Sequence, residues 1–570
     1  MADSAESCQR LATELGITTT VARLLCQRGM VDVAEARRFL QPRLSGLTAP
    51  DRMADRAVAA ERLVRAIQSG ERIGIFGDYD CDGITSTAIL AEILGCLGAQ
   101  VLPRLASRFD GGYGLSITAA EQVAGSEVSL LLTCDCGSSD HESIGWLKGR
   151  GIETIVIDHH LVPDEPLPAL AFLNPHRKDC SFGFTALASC GLALSLAAAV
   201  RAALKADLDL RQWLDLVAIG TIADVVPLIG DNRALVRAGM RIIDERRRPG
   251  LSLLLDKARL EPGRPITSED LAFRVAPRLN APGRIGDPGP ALDLLMAKDL
   301  AEARARVEVV EQLQLQRRRL QEKTLKEAVE DLEREQMQDA AAIVVGRSGW
   351  SSGIVGIVAG RLAQQYTRPV AVVAFVDGKG RGSVRGPKGA LLHDLLSGVS
   401  DCLLRFGGHQ AAAGLDVAED RFGEFKSRFI ASADRTKAHD DQSQGEVPSV
   451  ELQPEDDALQ VARELSLLEP YGQCNPRPKL LLRAEVLEAR EVRGGHLRLD
   501  LERRSGARIG AFGPGMGNRA DSLKGAILVS GSLRESTFLG RNRAELVIES
   551  AEPEGQAPDL AGTVTIDMLA

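Results

Sequence analysis

The sequence predicts an α/β multidomain protein, and three observations carry that prediction. Between Glu71 and about Gly230, short β-rich apolar runs alternate with helix-like stretches, the pattern of a parallel sheet covered on both faces. Leu300 to Gln338 is a long charged stretch without glycine or proline, which reads as one connecting helix. Lys479 to Ser550 holds five short β-like runs with glycine-rich joins, which suggests a small barrel.

Each element follows from local pattern. Residues 1–70 read as an N-terminal helical segment, with threonine caps before an apolar face in LGITTTVARLL (Leu15–Leu25). Residues 71–299 read as an α/β domain with a helical extension. Its strands are expected at Arg72–Phe76, Val101–Leu105, Val128–Thr133 and Glu153–Ile157, and helices at Ile84–Leu97 and Gly191–Leu204. The connecting helix, 300–338, carries Val310, Leu313, Leu320, Leu325, Val329 and Leu332 at roughly helical spacing. A second α/β domain, 339–430, has strands at Ala341–Val345 and Val370–Phe375. Residues 431–457 hold eight acids against two bases and read as a solvated acidic linker. Residues 458–570 contain LLLRAEVL, HLRLDL, ARIGAF, AILVSGSL and AELVIES, a barrel of the oligonucleotide-binding (OB-like) type or a β-domain that only packs on its neighbours.

Composition narrows the function classes. A chain of 570 residues with 44% hydrophobic residues can build several packed cores. No apolar run reaches the ~18 residues needed to cross a bilayer, and the start MADSAESCQR lacks an apolar signal core, so a cytoplasmic location is expected. The ten cysteines form no CxxC pair, which argues against zinc ribbons and a disulfide framework. A net charge of -9 does not advertise nucleic-acid binding, although grooves act through local charge.

The chemistry concentrates at strand ends. The first strand runs into GDYDCDG, which places Asp78, Asp80 and Asp82 within seven residues. The third ends in Asp135, the fourth in Asp158-His159-His160, and the apolar run of GTIADVVPL delivers Asp224. Ligands of open parallel sheets bind outside the carboxyl ends of the strands, so these residues converge on one edge. A single aspartate there is ordinarily a cap or a turn, and a lone histidine pair can be core packing. Four such segments together point to a site. Asp78, Asp80, Asp135 and Asp224 carry four negative charges and His159 a neutral nitrogen. Two divalent cations balance them, and carboxylate with imidazole suits Mn2+ or Mg2+ better than zinc. Asp82 reads as a neighbour supporting the ligands. Arg108, Arg278, Arg284 and Arg385 each lie near glycine or proline in segments that read as loops, with Asn280 and Ser383 as further donors. Such residues grip phosphates, and Arg284, Ser383 and Arg385 are the preferred set. His496 and Phe512 are the only stacking candidates singled out on the barrel.

GDYDCDG, TCDCG, IDHH and GTIADVVPL resemble the four ordered motifs of the DHH phosphoesterases. Within that superfamily the chain is most similar to the RecJ family of exonucleases. The likeness runs through RFDGGYGL, NPHRKDC, GDNRALVRAG, APRLNAPGRIG, GIVGIVAGRLAQQYTRPV, RGSVR, FGGHQAAAG and LEPYGQCNPRP. The resemblance implies a DHH domain followed by a DHH-associated domain. It implies that Asp78, Asp80, Asp135, His159 and Asp224 are metal ligands, with Asp135 bridging. It implies that His160 contacts the scissile phosphate or protonates the leaving oxygen, that Asp158 orients the histidine pair, and that His409 closes over the nucleotide. The sequence departs from the family pattern at Phe76, Cys81, Cys136 and Ser351-Ser352. Cys134 and Cys136 read as small fillers, or else as an oxidation-sensitive pair beside Asp135.

The implied activity is removal of nucleotides from the 5′ end of single-stranded DNA, by phosphodiester hydrolysis through a two-metal-activated water. The implied role is DNA repair and recombination, as a monomer, with a helicase and single-strand-binding protein as partners. Two rivals are a DHH nuclease or phosphatase for short RNA or nucleotide bisphosphates, and a non-catalytic replication scaffold.

Overall fold

The computed structural model describes residues 2–109, 112–337, 339–387, 389–408, 412–437, 449–538 and 541–554. His409 lies outside the described residues. The chain divides into two compact units: Thr48–Val226 with Ala238–Gly445, and Met1–Leu47 with Pro227–Arg237 and Glu446–Ala570.

The first unit is built on two sheets. In the first, β1 (Arg72–Gly77), β2 (Gln100–Leu105), β3 (Leu130–Cys134), β4 (Glu153–Ile157) and β5 (Ala171–Leu173) pair in the order β2-β1-β3-β4-β5. Every pair is parallel. All of β3 and most of β1 and β4 are buried, which is why these strands read as continuous apolar runs. The strand order reverses at β1, so the crevice outside the carboxyl ends of β1 and β3 is the expected ligand position. Helix Cys81–Cys96 packs on helices Ser189–Ala203 and Leu214–Ala223 behind that crevice.

Helix Leu300–Arg334 follows, capped by Asp299, whose side chain accepts the Glu302 N–H. It leads to β6 (Ile343–Ser348), β7 (Val370–Val376), β8 (Lys379–Arg385), β9 (Arg405–Gly408) and β10 (Ala412–Ala418), ordered β6-β7-β8-β10-β9. One face of this sheet buries Val358 and Leu362 of helix Val355–Tyr366, together with Ala328 and Leu332 of the long helix. The other buries Phe425 and Phe429.

The second unit contains the barrel. Strands β12 (Lys479–Val492), β13 (His496–Arg503), β14 (Arg508–Gly513), β15 (Gly525–Phe538) and β16 (Arg541–Pro553) follow the order β12-β13-β14-β16-β15. β12 pairs with β15 to close the barrel, and β14 runs parallel to β16. That is a five-stranded Greek-key barrel of the OB type. A short strand, β11 (Ser449–Glu451), extends it beside β12.

Two expected boundaries move. Helices Ala2–Leu15, Thr19–Gln27 and Val33–Leu40 share the core of the barrel unit, so the 1–70 segment is not one body. Of the α-helices in that segment, Arg56–Ser69 goes with the first sheet, against helix Ser189–Ala203. The acidic stretch is also more than a linker. Helix Phe422–Lys437 enters it, β11 lies within it, and 438–448 fall outside the described residues. Several of its acids are structural: Asp456 accepts the Thr19 and Thr20 N–H groups, and Asp457 caps helix Ala458–Leu465. Close by, buried Glu464 accepts both the N–H and the hydroxyl of Thr18, at 2.8 and 2.6 Å.

Glu464→Ala strips two buried donors of their acceptor, which costs about 2 kcal/mol. The expected result is a lower denaturation midpoint and faster proteolysis of the first two helices. Unchanged protection of those helices would show that they do not depend on the barrel core.

Candidate active site

The end of β1 meets the start of helix Cys81–Cys96 with no room for side chains. A Cβ on Gly77 would lie 2.1 Å from Thr87 Oγ1, and one on Gly83 would lie 2.4 Å from the Asp78 carbonyl oxygen. These glycines let the strand turn directly into the helix and bring Asp78 and Asp80 to the same end of the sheet. Asp80 caps the helix, accepting the N–H groups of Asp82 and Gly83 at 3.1 and 3.2 Å. The Asp82 carboxylate accepts the N–H groups of Ser189 and Cys190 at 2.8 and 2.9 Å, pinning the first turn of the next helix. It lies 4.0 Å from His159 Nε2, a supporting neighbour rather than a free ligand.

Asp135 follows β3 with φ +62°, a left-handed conformation that turns its carboxylate into the crevice. Ser189 Oγ donates to it at 3.2 Å. His159 Nε2 lies 3.2 Å from Asp135 Oδ1 and 3.3 Å from Asp224 Oδ2. Asp224 does not follow a strand: it caps the C-terminus of helix Leu214–Ala223, where the helix dipole is itself negative. Three sets of ligand atoms lie within 4.8 Å of one another: Asp78, Asp80 and Asp135; Asp135, His159 and His160; and Asp82, His159 and Asp224. Asp135 and His159 each belong to two sets, so the sets are contiguous.

Burial first, and neighbouring aspartates second, push the carboxyls of Asp78 and Asp135 well above their ordinary range. The same causes push Asp224 up to about 9. Burial also raises Asp82 and lowers His159. Among the described residues, Asp78, Asp80, Asp135 and Asp224 form no ion pair with lysine or arginine. Asp78 Oδ1 and His159 Nε2 are buried without a hydrogen-bond partner. Two orphaned acceptors inside a crowd of carboxylates fit hard divalent cations such as Mn2+ or Mg2+. The nearby thiols of Cys81, Cys134, Cys136 and Cys190 are pushed upward by burial, which keeps them protonated and poor ligands. Cys136 packs with Phe76 and Val156, so Cys136 and Phe76, both departures from the family pattern, are filler here.

Asp158 behaves differently. Burial would raise its carboxyl, but hydrogen bonds and His160 hold it well below the usual range. It accepts the N–H groups of Ser138, His159 and His160 at 3.0, 2.8 and 3.2 Å, and faces His160 Nδ1 at 2.7 Å. Burial lowers the His160 imidazole, and the Asp158 contact outweighs it, for a net rise. The sequence reading missed Tyr113. Its hydroxyl donates to the Asp135 carbonyl at 3.1 Å and lies 2.9 Å from His160 Nδ1. The signal was the sequence Gly112-Tyr113-Gly114, with both glycines left-handed. A Cβ on Gly114 would come 2.8 Å from Asp140 Oδ1, and Asp140 also accepts the Leu115 N–H.

A basic cluster adjoins the acids. The Arg108 guanidinium stacks 4.2 Å above the Tyr79 ring, and its Nε is buried without a partner. Arg284 donates to the Gly353 carbonyl at 3.3 Å. Burial, then Arg108 and Arg317, push Arg284 down to about 10. Arg385 donates to Ser383 Oγ and to its neighbour's carbonyl, both at 2.8 Å. None of the three pairs with a carboxylate among the described residues. Arg317, also missed, is buried against Gln314 and Gln321 rather than an acid. Asn280 leaves its Oδ1 buried and unpartnered. The expected loops are a correction: Arg278 and Arg284 lie in the short helices Ala276–Leu279 and Ala281–Ile285, and Arg385 ends β8. Arg278 is also engaged internally. It donates to Glu311, to the Arg274 carbonyl and to the Lys257 carbonyl.

Fold and site together define a DHH phosphoesterase. Residues 72–221 match the family described as the DHH family, N-terminal domain, residues 338–434 the DHHA1 domain, and residues 449–550 the RecJ OB domain. The chain belongs to the RecJ family. It is 33% identical over 569 residues to the single-stranded-DNA-specific exonuclease RecJ of Bacillus subtilis, covering 98% of this chain and 71% of that one. It is 35% identical to that of Dickeya dadantii, over 95% and 97% of the two chains. The crystal structure of RecJ in complex with Mn2+ from Thermus thermophilus matches at 34% identity with a TM-score of 0.81, covering 96% of this chain and 78% of that one. The complex of that protein with Mg2+ matches with a TM-score of 0.74 at 33% identity, over 96% and 77%.

A carboxyl raised by folding binds protons more tightly in the folded chain than in the unfolded one. Metal-free stability therefore falls as pH rises through the folded value, about 9 for Asp224. Metal binding runs the other way, because the ligands must be deprotonated. Between about pH 6 and about pH 9, metal-free wild type should lose melting temperature relative to Asp224→Asn. Over the same interval the rise in Tm produced by Mn2+ should grow. Parallel melting curves, with a manganese effect independent of pH, would contradict the carboxylate cage.

Proposed function

We propose that the chain is a metal-dependent exonuclease that degrades single-stranded DNA from its 5′ end. The observation that carries this reading is the pairing of two uncompensated clusters. Buried carboxylates without a cation stand beside buried arginines without an anion. A phosphodiester with divalent metals answers both at once. The Mn2+ and Mg2+ complexes of the Thermus relative support the metal assignment. Relatives described as single-stranded-DNA-specific exonucleases support the substrate.

In this reading Asp78, Asp80, Asp135, Asp224 and His159 would hold the two cations, Asp135 offering its carboxylate to two of the ligand sets. When bound, such a pair activates water and steadies both oxygens of an in-line displacement at phosphorus. Asp82 holds the helix that carries Ser189, and Ser189 in turn orients Asp135. Asp158 and Tyr113 both face His160 Nδ1 and so turn Nε2 toward the substrate. There the imidazole meets the scissile phosphate and gives a proton to the leaving oxygen. Arg108, Arg284, Ser383 and Arg385, with Asn280, bind backbone phosphates and the terminal 5′-phosphate.

The OB-type barrel supports a strand-holding role. His496 and Phe512 meet edge to face at 5.3 Å, a small stacking surface. No helix among the described residues is long and apolar enough to cross a membrane. We place the protein in the cytoplasm as a monomer, acting in DNA repair and recombination behind a helicase and beside single-strand-binding protein.

The deciding experiment digests 5′- and 3′-labelled single strands with Mn2+, with blunt duplex as control. Mononucleotides should appear first from the 5′ label, and duplex should resist. Early release from the 3′ label would overturn the polarity. Asp135→Ala should abolish hydrolysis. Tyr113→Phe should lower kcat by roughly tenfold or more with little change in KM, since it loosens the proton donor and not the strand. Arg284→Gln and Arg385→Gln should each remove most of the preference for a 5′-phosphate over a 5′-hydroxyl end. An unaltered preference would remove them from the phosphate site.

A further inference from the structure

Among the described residues, few large apolar side chains are strongly exposed, and three of them border the metal centre. Tyr113 is 50% exposed, Leu161 69% and Val225 65%. Each is tied to it by a short step. The Tyr113 hydroxyl contacts His160 Nδ1, Leu161 follows His160 directly, and Val225 follows Asp224. His159 Nε2, 3.3 Å from Asp224, brings the last two segments to the same place. Scattered apolar residues on a surface need no explanation, but three exposed ones, each touching or next in sequence to a residue of one pocket of carboxylates, do.

Val225 adds an independent observation. Its φ is +60°, the left-handed region where glycine and asparagine are ordinary and β-branched residues are outliers. A turn that needed only its backbone shape would be served better by glycine. Backbone strain of this kind gathers at functional sites, and here it falls on the residue that follows Asp224.

Phosphate and metal have no use for apolar contact, so the matching surface belongs to the rest of the nucleotide. Base faces and the carbon face of deoxyribose are apolar. They are hidden by stacking in a duplex and open in a single strand. We propose that Tyr113, Leu161 and Val225 form an apolar rim that grips the unstacked base and sugar at the strand terminus, and so select single-stranded ends. The proposal rests on the strand terminus entering the metal centre.

The test compares two 5′-phosphorylated single strands of equal length, one of them with tetrahydrofuran abasic units at its first two positions. Wild type should cleave the abasic-ended strand with kcat/KM lower by about tenfold. Leu161→Ser and Val225→Asn should raise KM on the ordinary strand by roughly fivefold, and should cleave the two strands nearly alike. Leu161→Met should restore the wild-type KM. The rise in Tm with Mn2+ should persist in each variant, which separates loss of the rim from loss of the fold or the cage. Wild-type cleavage of both strands within about twofold, or an unchanged KM in both variants, overturns the rim. Failure of wild type to cleave even the ordinary strand would instead overturn the assignment of strand to site.

Discussion

Carboxylates crowded at the end of a buried parallel sheet cannot all be ionised unless something positive joins them. Two unit charges ~4 Å apart repel by about 4 kcal/mol at an effective dielectric of 20, before any cost of removal from water. Asp78, Asp135 and Asp224 are raised by burial and then by neighbouring aspartates, Asp80 among them in each case, and Asp224 also sits at the negative end of a helix. The surrounding architecture maintains this arrangement instead of relieving it. Gly77 and Gly83 bring strand and helix into backbone contact, and Asp135 occupies a left-handed turn. The Asp82 carboxylate accepts two amides of the neighbouring helix, one on each oxygen. A fold that only needed stability would have placed apolar or neutral groups here.

The arginine cluster is the complement of this constraint. Arg284 is buried near Arg108 and Arg317, and Arg317 is braced by glutamine amides that leave its charge intact. Arg278 shows what the same side chain does when its task is structural: each of its three nitrogens donates inward, to Glu311 and to two carbonyls. The difference between these arginines lies in their partners and not in their local sequence, which is glycine- and proline-rich in both cases. A net charge of -9 conceals two local imbalances of opposite sign.

That distinction marks how far the sequence can be read. Strand ends followed by acids were legible because a buried strand is a continuous apolar run and its exit is abrupt. β4 begins and ends where the pattern places it, and β1 and β3 shift by one or two residues. Asp224 follows an apolar run too, but that run is a helix buried on all sides, which periodicity alone cannot separate from a strand. The N-terminal helices read as a segment of their own because nothing local reveals that Thr18 and Glu464 will meet. Tyr113 went unnoticed because a tyrosine between two glycines looks like loop. Only the fold shows the hydroxyl reaching an acid ligand's carbonyl and a histidine nitrogen.

The two histidines of the Asp-His-His sequence divide the work through their surroundings. His159 is stripped of solvent, lowered in basicity, and left with an unpartnered Nε2 amid carboxylates, the state in which imidazole binds a metal. His160 gains a carboxylate at Nδ1 that accepts three further amide bonds and stays ionised. If the Tyr113 hydroxyl gives its proton to the Asp135 carbonyl, it can only accept from His160, which places the proton on Nδ1. Adjacent residues of one type thus acquire opposite basicity, one lowered by burial and one raised by its carboxylate partner, from what each side chain meets.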